Sequence, residues 1–230
     1  MTKQRNDPRI SVNKLAQYVT SRAARQSQIL QLAKYPPEYI TTYYREASEA
    51  IARYLASGMT DVAILDGAVN VLNQIIPSTV YETRRIAGNI DAIETFATLL
   101  DEIDFEGATA QLGTQKAPHL VMQGVHISVR PEVTLHSIAK SNSLVGGIKL
   151  HFPVTEPLDA EQAGYVSAVV QAFCSAHLWK DGTPFGNHCM VIDMASKKVY
   201  PGVKAIIKRM KDINSACDHI AALWPSISPP

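Results

Sequence analysis

An acid and a lysine on neighbouring strands of one sheet are equipped for phosphodiester chemistry, the carboxylate holding a divalent cation and the ammonium stabilising charge at the phosphate or the attacking water. This chain carries such a set. Arg130-Pro131-Glu132 ends one strand-like run, and Gly147-Ile148-Lys149 lies inside the next, which extends to Phe152. Side chains alternate along a strand, so residue 147 and Lys149 share a face, and an acid at 147 would complete a cation site with Glu132. The residue there is Gly147. Glu132 is then the one metal ligand of the set, and hard divalent cations bind poorly to so few oxygens.

Polyanion binding is the second chemistry in view. Net charge is only +1, yet Lys3, Arg5, Arg9, Lys14, Arg22, Arg25 and Lys34 crowd the first segment against a lone Asp7, while the stretch from Glu82 to Glu106 is acid-rich. Lys197, Lys198, Lys204, Lys208, Arg209 and Lys211 form a second basic cluster near the end. Lys14, Arg22 and Arg25 together with Lys204, Lys208 and Arg209 are therefore the candidate phosphate contacts; a solvated helix face is the simpler account of either cluster alone. Tyr35, Tyr39, Tyr43, Tyr44 and Tyr54 could stack on bases, although their helical spacing favours packing.

Cys174 and His177 stand three apart on an expected helix, followed by His188 and Cys189. Adjacent strand residues point to opposite faces, so at most three zinc ligands could meet, and a core thiol among Val169, Val170 and Phe173 is the simpler account of Cys174. The chain contains no G-x-x-x-x-G-K-[ST], G-x-S-x-G or H-E-x-x-H, which leaves phosphate-loop, serine-hydrolase and zincin readings without an anchor.

The elements that must position these residues divide the chain. Ser11 is placed to cap a helix over residues 12–34, ended by Tyr35-Pro36-Pro37. Apolar spacing predicts further helices over 38–56, 61–76 and 89–103. Short β-rich runs follow at 120–129, 133–136 and 145–152, then a helix over 157–178, a strand pair at 188–194 and 198–200, and an amphipathic helix over 203–224. The expected fold class is α+β: a helical N-terminal region, residues 1–110, and a core of residues 111–230 in which a small mixed sheet is flanked by helices. At 230 residues with near-average composition, disordered, collagen-like and coiled-coil classes are disfavoured. No apolar run approaches the length of a membrane span, the N-terminus lacks the apolar region of a signal peptide, and three widely spaced cysteines suit reduced thiols. A cytosolic protein with no membrane partner is the expectation.

Pro131-Glu132 followed by Gly147-Ile148-Lys149 resembles the motif of the PD-(D/E)XK nuclease superfamily, in which a proline-acid pair precedes acid-x-lysine. Residues 190–200 resemble the continuation strands of Cas4-like and lambda-exonuclease-like members, so the similarity spans roughly residues 120–200. The resemblance implies a PD-(D/E)XK-like core in which Glu132 and Lys149 are the catalytic pair, Mg²⁺ the cofactor of any active form, and nucleic acid the partner, in a restriction, repair or phage-defence setting. Gly147 makes this core divergent, and a protein that does not cleave by the standard two-carboxylate route is expected. The alternative is a protein-interaction subunit whose helical half docks a partner.

Overall fold

A computed structural model describes residues 4–36 and 43–229. Five strands, β2 (Thr109–Leu112), β5 (Val133–Ala139), β6 (Asn142–His151), β7 (Thr183–Asp193) and β8 (Lys198–Tyr200), form a mixed sheet in the order β2-β5-β6-β7-β8. β5, entered directly after Glu132, and β6, which carries Lys149, form an antiparallel hairpin, while β6 and β7 run parallel and are joined by the crossover helix α6 (Ala160–His177). Lys140 and Ser141, at φ 48° and 69°, turn the hairpin in the left-handed backbone that a two-residue connection requires.

Strand alternation sends Val133, Leu135, Ile148, Leu150, Met190 and Ile192 to one face, where they pack against α3 (Arg45–Ala56), α4 (Ala63–Gln74) and α5 (Val80–Ala97). Val145, Cys189 and Val191 project to the other, against α6, α1 (Val12–Thr20) and α7 (Ile207–Leu223). A second sheet orders β1 (Arg9–Ser11), β4 (Val125–Ser128) and β3 (Leu120–Met122), and its inward Ile10, Leu120 and Ile127 join that core. The architecture is α+β, a mixed sheet with helices on both faces, and helices from the first 110 residues line both cores.

Several boundaries differ from the sequence expectation. Ser11 does cap α1, its hydroxyl accepting from the Lys14 N–H at 3.4 Å, but the helix expected over 12–34 breaks at Ser21-Arg22 into α1 and α2 (Ala23–Lys34). The helix expected over 38–56 begins at Arg45 among the described residues, residues 38–42 lying outside them. The run at 120–129 is two strands turned back at Gln123-Gly124, and the helix expected over 89–103 starts earlier, at Val80, where Thr79 caps it by accepting from the Glu82 N–H at 3.1 Å. Asp159 and Gln162 close a reciprocal capping box at the start of α6.

Among the described residues, no helix is long and apolar enough to cross a membrane.

Candidate functional site

Glu132, at the entry to β5, and Lys149, on β6, oppose one another across the hairpin. Lys149 Nζ lies 2.6 Å from Glu132 Oε1 and donates a second bond to the Arg130 carbonyl at 3.1 Å. Glu132 Oε2 accepts from the Leu150 N–H at 2.8 Å. The two side chains are only 9% and 13% exposed, so each carboxylate oxygen is held by a partner inside a poorly solvated niche. The motif resemblance singled out these two residues, and the structure places them in contact.

Gly147 sits on the same face as Lys149, one register step inward opposite Thr134. A Cβ there would stand 2.9 Å from Pro131 Cβ, 3.0 Å from Pro131 Cγ and 3.4 Å from Val170 Cγ1. The proline of the motif and helix α6 thus occupy the space in which an acid at 147 would stand. Neighbouring Gly146 is needed for a different reason: its Cβ would meet His188 at 2.3 Å, where a register irregularity presses β6 against β7.

Mg²⁺ does not fit this niche. Both oxygens of Glu132 are committed to the lysine and the Leu150 amide, and Glu49, the other acid lining the same cleft, is paired with Arg45, whereas a hard cation needs several free oxygens. Among the described residues, no three His, Cys, Asp or Glu side chains gather as a metal-holding group. Glu156 is drawn into different work, pairing with both Lys14 and Arg25 and so tying α1 and α2 to the segment after β6. Burial opposes its charge, but the hydrogen bonds and charges of Lys14 and Arg25 prevail and hold its carboxyl below the usual range.

The pair forms one wall of a cleft of about 460 Å³. Arg45 and Glu49 of α3 face it from the side, Gln115 and Arg130 from the strand end, and Asn13 from α1. An adjoining hollow of about 280 Å³ shares Glu49, Gln115, Arg130 and Glu132 and adds Arg53. Arg45 and Glu49 are paired at 2.9 Å. Arg130 is exposed, and among the described residues its guanidinium has no hydrogen bond or ion pair. Its backbone lies at φ 38°, a left-handed conformation that costs energy in a residue other than glycine and is held here by the Lys149 bond to its carbonyl.

The remaining wall is aromatic. Tyr44 stacks on Phe152 with centroids 5.3 Å apart and planes 16° apart, and Tyr43 meets Tyr44 edge-on at 4.8 Å. All three rings line the cleft. Of the other tyrosines considered from sequence, Tyr54 is a core residue against Phe96, Tyr35 is buried, and Tyr39 lies outside the described residues.

Behind the cleft, His151 is buried and neutral chemistry suits it: Nε2 donates to the Glu156 carbonyl at 2.7 Å, and Nδ1 accepts from Asn13 Nδ2 at 3.0 Å. Burial lowers its pKa. Asn13 is left with a buried carbonyl oxygen, Oδ1, that has no partner.

Of the basic residues read from sequence, Lys14 and Arg25 are brought together at Glu156. Arg209 lies over the Tyr165 ring with its charged carbon 5.9 Å from the centroid. Arg22, Lys204 and Lys208 are exposed. Lys34 is buried, donating to the carbonyls of Trp224, Pro225 and Ile227 at the chain's end. Cys174 and Cys189 are neighbours in the core; that contact and burial push the Cys174 thiol up, while His177 and His188 turn to Phe173 and Phe185, so a zinc set does not form from them.

The cationic members that sequence reasoning missed are Arg45, Arg53 and Arg130. Arg45 and Arg53 lie two turns apart on α3 with Glu46 and Glu49 between them, and Arg130 stands alone before β5, so no run of basic residues announces them. The sequence matches no protein-family model and no curated protein.

Proposed function

We propose that this chain is a nucleic-acid-associated protein whose divergent, PD-(D/E)XK-like core holds a phosphate backbone without cutting it by the two-carboxylate route. The observation that carries this reading is the cleft itself: Arg130 beside the closed Glu132–Lys149 pair on one side, Tyr43, Tyr44 and Phe152 on the other, within one space of about 460 Å³. Cationic side chains track a backbone and aromatic faces stack on bases, the combination by which single strands are held with little sequence preference. The closure of Glu132 onto Lys149 and Leu150 supports binding over cleavage, because neither oxygen is free for a cation. A restriction, repair or phage-defence setting is what the resemblance implies for such a protein.

The test is titration of a labelled single strand and a labelled duplex of equal length into the protein, with and without Mg²⁺. Tighter binding of the single strand, with both DNAs intact at the end, is expected. Absence of binding at low salt removes the reading.

The alternative is a protein-interaction subunit, and one observation favours it. Helix α4 and its flanks expose Val71, Ile76 and Val80 at 63%, 91% and 70%, beside an α3–α4 groove of about 410 Å³ lined by Ile64, Ala68 and Leu72. A pull-down partner lost on Val71→Asp, in a protein that binds no DNA, would select this alternative.

A further inference from the structure

The small sheet β1-β4-β3 carries a second cationic hollow that owes nothing to the cleft. Its inward residues, Ile10, Leu120 and Ile127, are core, so the alternate residues stand on the outer face. Arg9 is the cross-strand partner of His126, and Val121 flanks His126 on the other side. His119, two residues before Val121, therefore falls on the same face. Its ring meets that of His126 edge-on, with centroids 5.8 Å apart. The segment entering β1 brings Arg5 alongside, held in place by its Nη1 bond to the Ala33 carbonyl at 3.2 Å and by the Trp224 indole, which donates to the Arg5 carbonyl at 3.3 Å and the Asn6 carbonyl at 3.0 Å.

These groups enclose a hollow of about 430 Å³, lined by Arg5, Arg9, His119 and His126 together with Gln4, Asn6 and a single acid, Asp7. Two guanidinium groups share this space with one carboxylate, and protonation of either imidazole would add to the excess of positive charge. Burial lowers the His119 pKa, with the Arg9, His126 and Arg5 charges adding to it. Arg5 is likewise destabilised as a cation by burial and by Arg9. Such a hollow gains most from a compact dianion that accepts from several donors at once.

We propose that Arg5, Arg9, His119 and His126 form a binding site for a phosphate-class dianion, either free inorganic phosphate or the terminal monoester of a polynucleotide. Binding draws a proton onto His119, since the dianion reverses the surrounding positive field. Affinity therefore rises as pH falls through the bound-state pKa of His119 and levels off once the free protein is protonated too. Arg5, Arg9, His126 and Asp7 are the charged and titratable groups that set this balance.

The experiment follows the His119 and His126 ring signals by NMR in the full chain. Sulfate serves as the first probe because its charge is constant across the range, about pH 5.5 to 8, in which histidine titrates. Expected are ring shifts that saturate with sulfate, a raised His119 pKa, and tighter binding at the acid end. Arg9→Gln should weaken sulfate binding by roughly tenfold or more, the effect of losing a charged donor, and His126→Gln, which keeps a polar side chain of similar size, should also weaken it. Inorganic phosphate and a pair of oligonucleotides differing only in a 5′-phosphate distinguish the sources: preference for the phosphorylated strand assigns the site to a polymer end, phosphate binding that neither strand displaces assigns it to the free ion, and equal displacement by both strands shows a site for backbone phosphodiesters and overturns the dianion assignment. Ring signals unmoved by sulfate and phosphate, or an Arg9→Gln protein that binds sulfate as tightly as the parent, would overturn the proposal.

Discussion

Glu132 and Lys149 face one another across the β5–β6 hairpin at 2.6 Å, with the second carboxylate oxygen taken by the Leu150 amide. In a cleaving enzyme of the kind the motif resembles, the acid would hold a cation and the lysine would face the phosphate. Here the two satisfy each other, and Arg130, which lines the same cleft, has no side-chain partner among the described residues.

The first prediction concerns what that pair is worth to the fold. Removing one partner leaves a poorly solvated charge, so Glu132→Ala or Lys149→Ala should each cost about 3 kcal/mol, or roughly 6 to 12 °C in Tm for a chain of this size. Replacing both with apolar residues, Glu132→Leu with Lys149→Met, should recover most of that loss. Thermal and urea unfolding of the three variants measure it. A double variant as unstable as the sum of the singles would show that the pair is not a closed unit.

Gly147→Asp is the substitution that would restore the motif, and the packing predicts that it fails. Its Cβ meets Pro131 at 2.9 and 3.0 Å, so the variant should lose about 1 to 3 kcal/mol and gain no Mg²⁺ affinity by calorimetry. Tight Mg²⁺ binding by a stable Gly147→Asp protein would mean that Pro131 yields readily and that the niche is closer to a metal site than its geometry indicates.

Acid sensitivity should centre on Glu156. Its carboxyl is held below the usual range by Lys14 and Arg25 against the opposing effect of burial, so the native state binds this proton less readily than the unfolded chain. The stability it contributes is fully present above its unfolded pKa, about 4.5, and is lost as pH falls through the lower folded value. Unfolding of the parent and of Glu156→Gln should therefore differ at neutral pH and converge toward acid pH. A constant difference across that range would place the effect of the substitution elsewhere than in its charge.

Much of the scaffold is legible in the sequence because it rests on local signals. Ser11 before an apolar 3,4 pattern gives a cap and a helix, and the motif of Pro131-Glu132 with Lys149 singles out the opposed pair. The break at Ser21-Arg22 is invisible because the apolar spacing runs through it unchanged, and β2 shows no alternation because it is a mostly exposed edge strand. The cleft is harder still. Tyr44 and Arg45 at the start of α3, Arg130 before β5 and Phe152 after β6 come from three separate segments, and Tyr43 and Tyr44 read as helix-face residues although α3 begins only after them. Left-handed backbone at Arg130 has no sequence sign, since that conformation is ordinarily announced by glycine or asparagine.

The aromatic wall yields its own prediction. Tyr44→Ala should weaken single-stranded DNA binding by about 1 to 3 kcal/mol while affecting duplex binding less, because stacking requires an unpaired base. Anisotropy titrations with the two DNAs provide the comparison. Equal losses on both would point to damage to the Phe152 packing instead of a lost stacking platform.

The most direct test of binding without cleavage is a salt series: labelled single-stranded DNA titrated with the parent and Arg130→Ala proteins in Mg²⁺, with DNA length checked in the same samples. The expected result is affinity that falls steeply with salt, a slope of log K against log salt reduced by about 1 in Arg130→Ala, and DNA of unchanged length throughout. Metal-dependent shortening of the DNA that Lys149→Ala abolishes, or the same salt slope in both proteins, would contradict it.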